Sequence, residues 1–123
     1  DPFAPDTVYA ATLAGLYKTT DGATSWVRIG ESLQDQMIVA MVLDRARAGV
    51  MYLAGRNGIH RSEDGGKTWA AFNEGLATTN IRSLAQSAMD PQVLFAGTNG
   101  SGLYKSVDGG AHWQAMPSVF PKD

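Results

Sequence analysis

Ser62-Glu63-Asp64-Gly65-Gly66-Lys67-Thr68-Trp69 is the stretch that decides the fold, because closely related eight-residue stretches occur at 19–26 and 106–113. The tryptophans that end the three stretches stand 43 and 44 residues apart. A repeat period of about 20 to 50 residues is typical of solenoids, propellers and related arrays. We call the three stretches the aspartate turns, and they set the period of the whole chain.

Each aspartate turn joins two apolar runs, and its residue types suit a tight hairpin. An Asp accepts hydrogen bonds from backbone N–H groups just ahead of it, and Gly takes up positive φ at little cost. The hydroxyl two residues before the Asp adds a local bond, and the Trp five residues after it is expected to bury its ring. The residues predicted to have these structural roles are Thr19, Asp21, Gly22, Trp26, Ser62, Asp64, Gly66, Trp69, Ser106, Asp108, Gly110 and Trp113.

Short apolar runs between the turns predict an all-β fold with three strands in the first repeat and four in each of the others. The run Ile38–Leu43 is continuously apolar, which predicts an innermost strand buried on both faces. Four antiparallel strands in about 43 residues are typical of a β-propeller blade. The predicted organisation is an extended lead-in over 1–7, a first blade without its inner strand over 8–37, a second blade over 38–80, a third over 81–116 and a tail over 117–123.

Composition excludes several classes of function. The chain has 123 residues, a net charge of −2 and no cysteine. This charge gives no electrostatic indication of nucleic-acid binding, and the lack of cysteine excludes disulfides and sulfur-based zinc sites. No apolar run approaches the length of about 18 residues that a membrane span needs. No metal or cofactor is expected either, since the two histidines lie in unrelated places and the glycine-rich stretch 97–102 precedes a strand.

The aspartate turns resemble the Asp-box or BNR repeat, whose pattern is Ser/Thr-x-Asp-x-Gly-x-Thr/Ser-Trp. The match is complete at 62–69, whereas Ala23 replaces the motif glycine and His112 replaces the Thr in the other copies. Such boxes occur on the propeller blades of sialidases, xyloglucan-cleaving glycoside hydrolases, sortilin-type receptors and photosystem II assembly factors. The resemblance covers about 8–116. It implies that the boxes cap outer hairpins away from the ligand-binding face, and it favours an extracellular or periplasmic location.

Ligand contacts are expected from the inner strand and the loops away from the aspartate turns. The candidate residues are Arg56, Asn57, Arg82, Thr98, Asn99, Glu31 and Glu74. Two functions stay open, and no catalytic residue is assigned in either. The favoured one is a non-enzymatic module that binds a protein or a glycan. The alternative is part of a sialidase-like or xyloglucanase-like glycoside hydrolase, which would need a pair of carboxylates about 5 to 9.5 Å apart and would draw them from loop acids such as Glu31 and Glu74.

Three blades do not close a ring. An open stack would leave two broad apolar blade faces uncovered. We therefore expect either that the chain is a piece of a larger propeller or that copies of it complete a ring, with two chains supplying about six blades. The chain begins at Asp1 without a Met or an apolar signal stretch, which indicates a processed or excised piece.

Overall fold

The computed structural model describes residues 1–12, 15–30 and 38–117, and it contains strands but no helix in those ranges. The strands form three antiparallel sheets, in each of which sequence neighbours pair, so the predicted all-β fold is confirmed. Sheet 1 consists of β1 (Val8–Thr12), β2 (Gly15–Thr19) and β3 (Val27–Ile29). Sheet 2 consists of β4 (Ile38–Leu43), β5 (Met51–Gly55), β6 (Gly58–Ser62) and β7 (Ala70–Ala71). Sheet 3 consists of β8 (Ile81–Gln86), β9 (Leu94–Thr98), β10 (Leu103–Ser106) and β11 (Gln114–Ala115).

Residues 1–7 are folded, in contrast to the expected extended lead-in. The amino group of Asp1 donates to the carbonyl oxygen of Thr7 at 3.0 Å. An equivalent bond, from the N–H of the first residue to the carbonyl oxygen of the last, closes the loops 44–50 and 87–93, with N···O distances of 2.9 Å and 2.8 Å. The first seven residues are therefore a third copy of the loop that precedes the second strand of a blade, because the repeat register continues to the start of the chain.

The most deeply buried strand is β5 and not β4. All five residues of β5 are buried, whereas β4 is only partly buried and Val39 is half exposed. The expectation that Ile38–Leu43 would be buried on both faces was wrong, because β4 pairs only with β5 and lies at the inner edge of sheet 2. A register shift between Ile38 and Ala40 also turns Val39 outward.

Two apolar clusters hold the sheets together face to face. Leu16 of sheet 1 packs with Leu53 of sheet 2, and Ile29, Met41 and Trp69 lie around them. The larger cluster joins sheets 2 and 3 and contains the buried residues Val50, Tyr52, Ala54, Ile59, Ile81, Leu94, Ala96, Tyr104 and Trp113. Burial of aliphatic and aromatic side chains contributes roughly 1.5–3 kcal/mol for each residue. The core therefore lies between the sheets, and each sheet depends on its neighbour.

Candidate functional site

The second aspartate turn has a dense network of short hydrogen bonds. The Ser62 hydroxyl donates to Asp64 Oδ1 at 2.8 Å and accepts from the backbone N–H of Gly66 at 2.9 Å. Asp64 also accepts from the N–H of Thr68 at 2.9 Å and from its hydroxyl at 2.5 Å. The carboxylate is thus surrounded by donors from its own turn.

The same network recurs in the other two turns with different side chains. Ser25 donates its hydroxyl to Asp21 Oδ2 at 2.6 Å, and His112 Nδ1 lies 2.7 Å from Asp108 Oδ2. These side-chain bonds, from Ser25 and then Thr19 in the first turn and from His112 in the third, lower the pKa of Asp21 and of Asp108 to about 2. The Thr68 hydroxyl holds the pKa of Asp64 well below its usual range. All three carboxylates are ionised near neutral pH, so none of them is suited to act as a general acid.

The three tryptophans occupy different environments. Trp113 is 3% exposed, and its indole N–H donates at 2.9 Å to the carbonyl oxygen of Phe72, the residue after the last strand of sheet 2. Trp69 is partly buried and donates to Gly66 of its own turn at 2.9 Å. Trp26 is 41% exposed, contrary to the expectation that each indole would be buried. The cause is that each of the other two tryptophans packs against the sheet that precedes its own, and no described sheet precedes sheet 1.

The candidate pair Arg56 and Asn57 forms a tight turn between β5 and β6. The register pairs Gly55 with Gly58, which leaves Arg56 and Asn57 exposed at the tip. Asn73 fixes this turn from the side, since its Oδ1 accepts the N–H of Ile59 at 2.7 Å. Asn73 was not among the predicted site residues, because its only signal in the sequence is a polar side chain directly after an apolar strand.

Arg82, Thr98 and Asn99 come together at one end of sheet 3. Ile81 pairs with Thr98, and a register shift between Ile81 and Ser83 leaves Arg82 as the exposed extra residue of a bulge. Bulges of this kind re-aim a side chain and are common next to binding sites. The Thr98 hydroxyl is used within its own loop, where it donates to Gly102 O at 2.7 Å, whereas the Asn99 side chain is exposed.

These residues lie away from the aspartate turns. The aspartate turns follow β6 and β10, so the β5–β6 turn and the β9–β10 loop are at the opposite ends of those two strands. The β9–β10 loop is held by a 3.0 Å bond from the N–H of Asn99 to the carbonyl oxygen of Asn80, which precedes β8. We call the set Arg56, Asn57, Arg82 and Asn99 the arginine end.

Glu74 follows Asn73 in the chain and lies at the rim between sheets 2 and 3. Its carbonyl oxygen accepts the backbone N–H of Trp113 at 2.8 Å. The residue lines an open cavity of about 450 Å³ with Ala71, Phe72, Asn73 and Ala111. Glu74 is therefore beside the third aspartate turn. The other loop acid of the prediction, Glu31, lies outside the described residues.

Asp44 is a further charged residue whose partners lie in its own loop. Within the described ranges, no group of three or more His, Asp and Glu residues is placed to hold a metal ion. Those ranges also contain no helix long and apolar enough to cross a membrane. Asp44 is buried, and although burial raises its pKa, bonds from the N–H groups of Ala46 and Arg47 and from the Arg47 guanidinium leave the pKa lowered overall. Asp44 thus stabilises its own loop.

Comparison with known proteins identifies the fold. No family model and no curated protein matches the chain. Among solved structures, an ancestral GH74 enzyme aligns with a TM-score of 0.76 and 19% identity over 95% of this chain and 18% of its own. YCF48 bound to D1 peptide aligns with a TM-score of 0.67 and 21% identity over 89% and 36% of the two chains. YCF48 from Cyanidioschyzon merolae aligns with a TM-score of 0.62 and 18% identity over 93% and 42%.

These similar structures are β-propellers, and the chain covers less than half of each of them. Three packed antiparallel meanders joined by an apolar core match a partial propeller. The chain is therefore a three-sheet segment of β-propeller fold. Sequence identities near 20% support a similarity of fold and say nothing of function.

Proposed function

We propose that this chain is a non-enzymatic binding module built from Asp-box blades, and that the arginine end contacts an acidic segment of a partner protein. The observation that supports this most directly is the bulge that exposes Arg82 on the inner strand of sheet 3. Arg56 supplies a second exposed guanidinium at the tip of the β5–β6 turn, and Asn57 and Asn99 add exposed amides. Guanidinium groups bind carboxylates through paired hydrogen bonds, and amides serve as donors or acceptors beside them.

The charge of the arginine end favours an anionic ligand. None of its four residues is acidic, and the aspartates of the three turns lie at the other ends of the hairpin strands and are occupied by their own hydrogen bonds. Glycan sites usually add an aromatic platform, and the arginine end contains no aromatic residue. An extended acidic peptide fits this combination better than a neutral glycan does.

The test is a binding titration with fluorescein-labelled peptides rich in Asp and Glu, in parallel with acidic and neutral glycans. Arg82→Gln is expected to weaken peptide binding about tenfold or more, because one charged hydrogen bond contributes about 1.5–3 kcal/mol. Lys67→Gln removes the same charge from an exposed position in the second aspartate turn and is expected to leave binding unchanged. Equal losses in both variants would indicate nonspecific attraction and would contradict the proposed site.

The second candidate function is part of a glycoside hydrolase, favoured by the structural likeness to GH74 enzymes. It would use the rim cavity that Glu74 lines. Incubation with xyloglucan, β-glucans and sialosides distinguishes the two functions. Product release that Glu31→Gln or Glu74→Gln abolishes would support the hydrolase, whereas saturable binding without product supports the binding module.

A further inference from the structure

The contact between sheets 1 and 2 and the contact between sheets 2 and 3 use residues at equivalent positions of the repeat. Tyr9 of sheet 1 donates its hydroxyl to the carbonyl oxygen of Gly65 in the next aspartate turn at 3.3 Å. Tyr52 of sheet 2 donates to Gly109 in the following turn at 3.2 Å. Each sheet therefore has one face that docks on the preceding sheet and one face that receives the next.

Sheet 1 exposes its docking face. The residues of this face are Val8, Ala10, Tyr17 and Trp26, and we call them the Trp26 face. Val8 is 43% exposed, whereas its equivalents Met51 and Leu94 are 1% and 0% exposed. The same contrast separates Trp26 from Trp113. The pattern is that of an interface whose second half is missing.

Sheet 3 exposes the complementary half, its receiving face. The residues of this face are Val93, Phe95, Leu103 and Met116, and we call them the Phe95 face. Leu103 is only partly buried, although its equivalents Leu16 and Ile59 are fully buried under the next sheet. Lys105 lies 5.8 Å from the Phe95 ring, as Lys18 lies 5.3 Å from Tyr9 and Arg61 lies 5.8 Å from Tyr52. The receiving surface is thus built in sheet 3 as in the other two.

We propose that the Trp26 face of one copy packs on the Phe95 face of a second copy. Both halves of the contact are present on one chain and continue an interface that the chain already makes twice, so a second copy is the matching partner. Such a head-to-tail contact gives a closed ring when the rotation between neighbouring copies brings the last copy back to the first. Two copies contribute six sheets, which is within the range of about four to eight blades in propellers. The inference depends on the fold and not on the arginine end.

Phe95 allows the proposed contact between copies to be tested by adding a hydrogen bond to it. It occupies the position of Tyr9 and Tyr52 but has no hydroxyl to donate to the next aspartate turn. In the proposed dimer, its ring faces Gly22 of the second copy, the equivalent of Gly65 and Gly109. Phe95→Tyr is expected to tighten each contact about fivefold, the value of one net hydrogen bond.

The experiment is sedimentation equilibrium over a range of protein concentrations. The expected species has twice the 13.1 kDa of one chain. Trp26→Arg is expected to shift it to the monomer while the far-UV circular dichroism stays the same, because Trp26 is exposed within the chain. Val107→Asp is the matched control. It changes an exposed residue whose equivalent in the fully flanked sheet 2 is the exposed Glu63.

Three results would overturn the proposal. These are a monomer at every concentration for both the unaltered chain and Phe95→Tyr, a dimer that withstands Trp26→Arg, and a ladder of larger species that withstands Trp26→Arg. The peptide titration with Arg82→Gln reports separately on the arginine end, so failure of one proposal is distinguishable from failure of the other.

Discussion

The indole N–H of Trp113 donates to the carbonyl oxygen of Phe72, so the third aspartate turn is fastened to the sheet before it. Trp69, in the same position one repeat earlier, donates to Gly66 within its own turn instead. Trp113 is also the more deeply buried of the two. The same motif residue therefore stabilises the fold to different extents in different repeats.

We expect Trp113→Ala to lower the free energy of unfolding by about 3–5 kcal/mol, the usual loss for a buried aromatic side chain. Trp69→Ala should cost less because its ring is partly exposed. Met89→Ala, at an almost fully exposed position, should change stability by less than about 0.5 kcal/mol. Urea denaturation of the three variants measures this order, and a larger loss for Trp69→Ala than for Trp113→Ala would contradict it.

The buried Ser62 hydroxyl is expected to be essential to the second turn. Ser62→Ala leaves the buried N–H of Gly66 without its acceptor, which costs about 1–3 kcal/mol. Ser62→Thr keeps the hydroxyl, as Thr19 does in the first turn, and should retain most of the stability. Thermal unfolding of the pair tests the role of the hydroxyl. Equal losses would mean that side-chain volume, rather than the hydrogen bond, is what matters.

Acid should weaken the aspartate turns. The pKa of Asp21 falls from 3.8 to about 2 on folding, so its carboxylate stabilises the folded state fully above pH 3.8 and loses this effect as the pH falls towards 2. The unfolding midpoint of the unaltered chain should therefore exceed that of Asp21→Asn at pH 6. The difference should shrink between pH 4 and pH 2. A difference that stays constant over this window would disprove a contribution from the ionised form.

Gly75 is expected to tolerate no side chain. A Cβ at this position would lie 2.1 Å from the carbonyl oxygen of Trp113, and its φ is +95°. Gly100 has nearly the same φ, +92°, but nothing within 4 Å of the added atom. Gly100→Ala should cost only the backbone strain, about 1–2 kcal/mol, and Gly75→Ala should cost clearly more. Similar losses of unfolding free energy for the two variants in chemical denaturation would contradict this prediction. They would mean that the backbone between sheets 2 and 3 can shift to admit a side chain.

The repeat period was enough to predict the strands and the turns. Tyr9 and Tyr52 stand 43 residues apart, and both pair with a cation on the second strand of their hairpin. The exposure of Trp26 could not be read from the motif, because burial of the indole depends on the presence of a neighbouring sheet. The bulge at Arg82 was also hidden, since an extra residue within a strand leaves the sequence pattern almost unchanged. The backbone bond from Trp113 to the carbonyl oxygen of Glu74 was hidden as well, since the sequence pattern does not show which loop meets the next turn.

The β9–β10 hairpin has five residues, 98–102, between the paired Gly97 and Leu103, one more than the four, 55–58, between the paired Ala54 and Ile59. A 3.0 Å bond from the N–H of Thr98 to the carbonyl oxygen of Gly102 nevertheless closes it, and the register beyond it is kept. Single-residue length changes are thus absorbed at hairpin tips, so the strand pairing on either side of the tip is unaffected. A gene encoding such a chain can therefore gain or lose one codon at a hairpin tip while the strand pairs beyond the tip are kept.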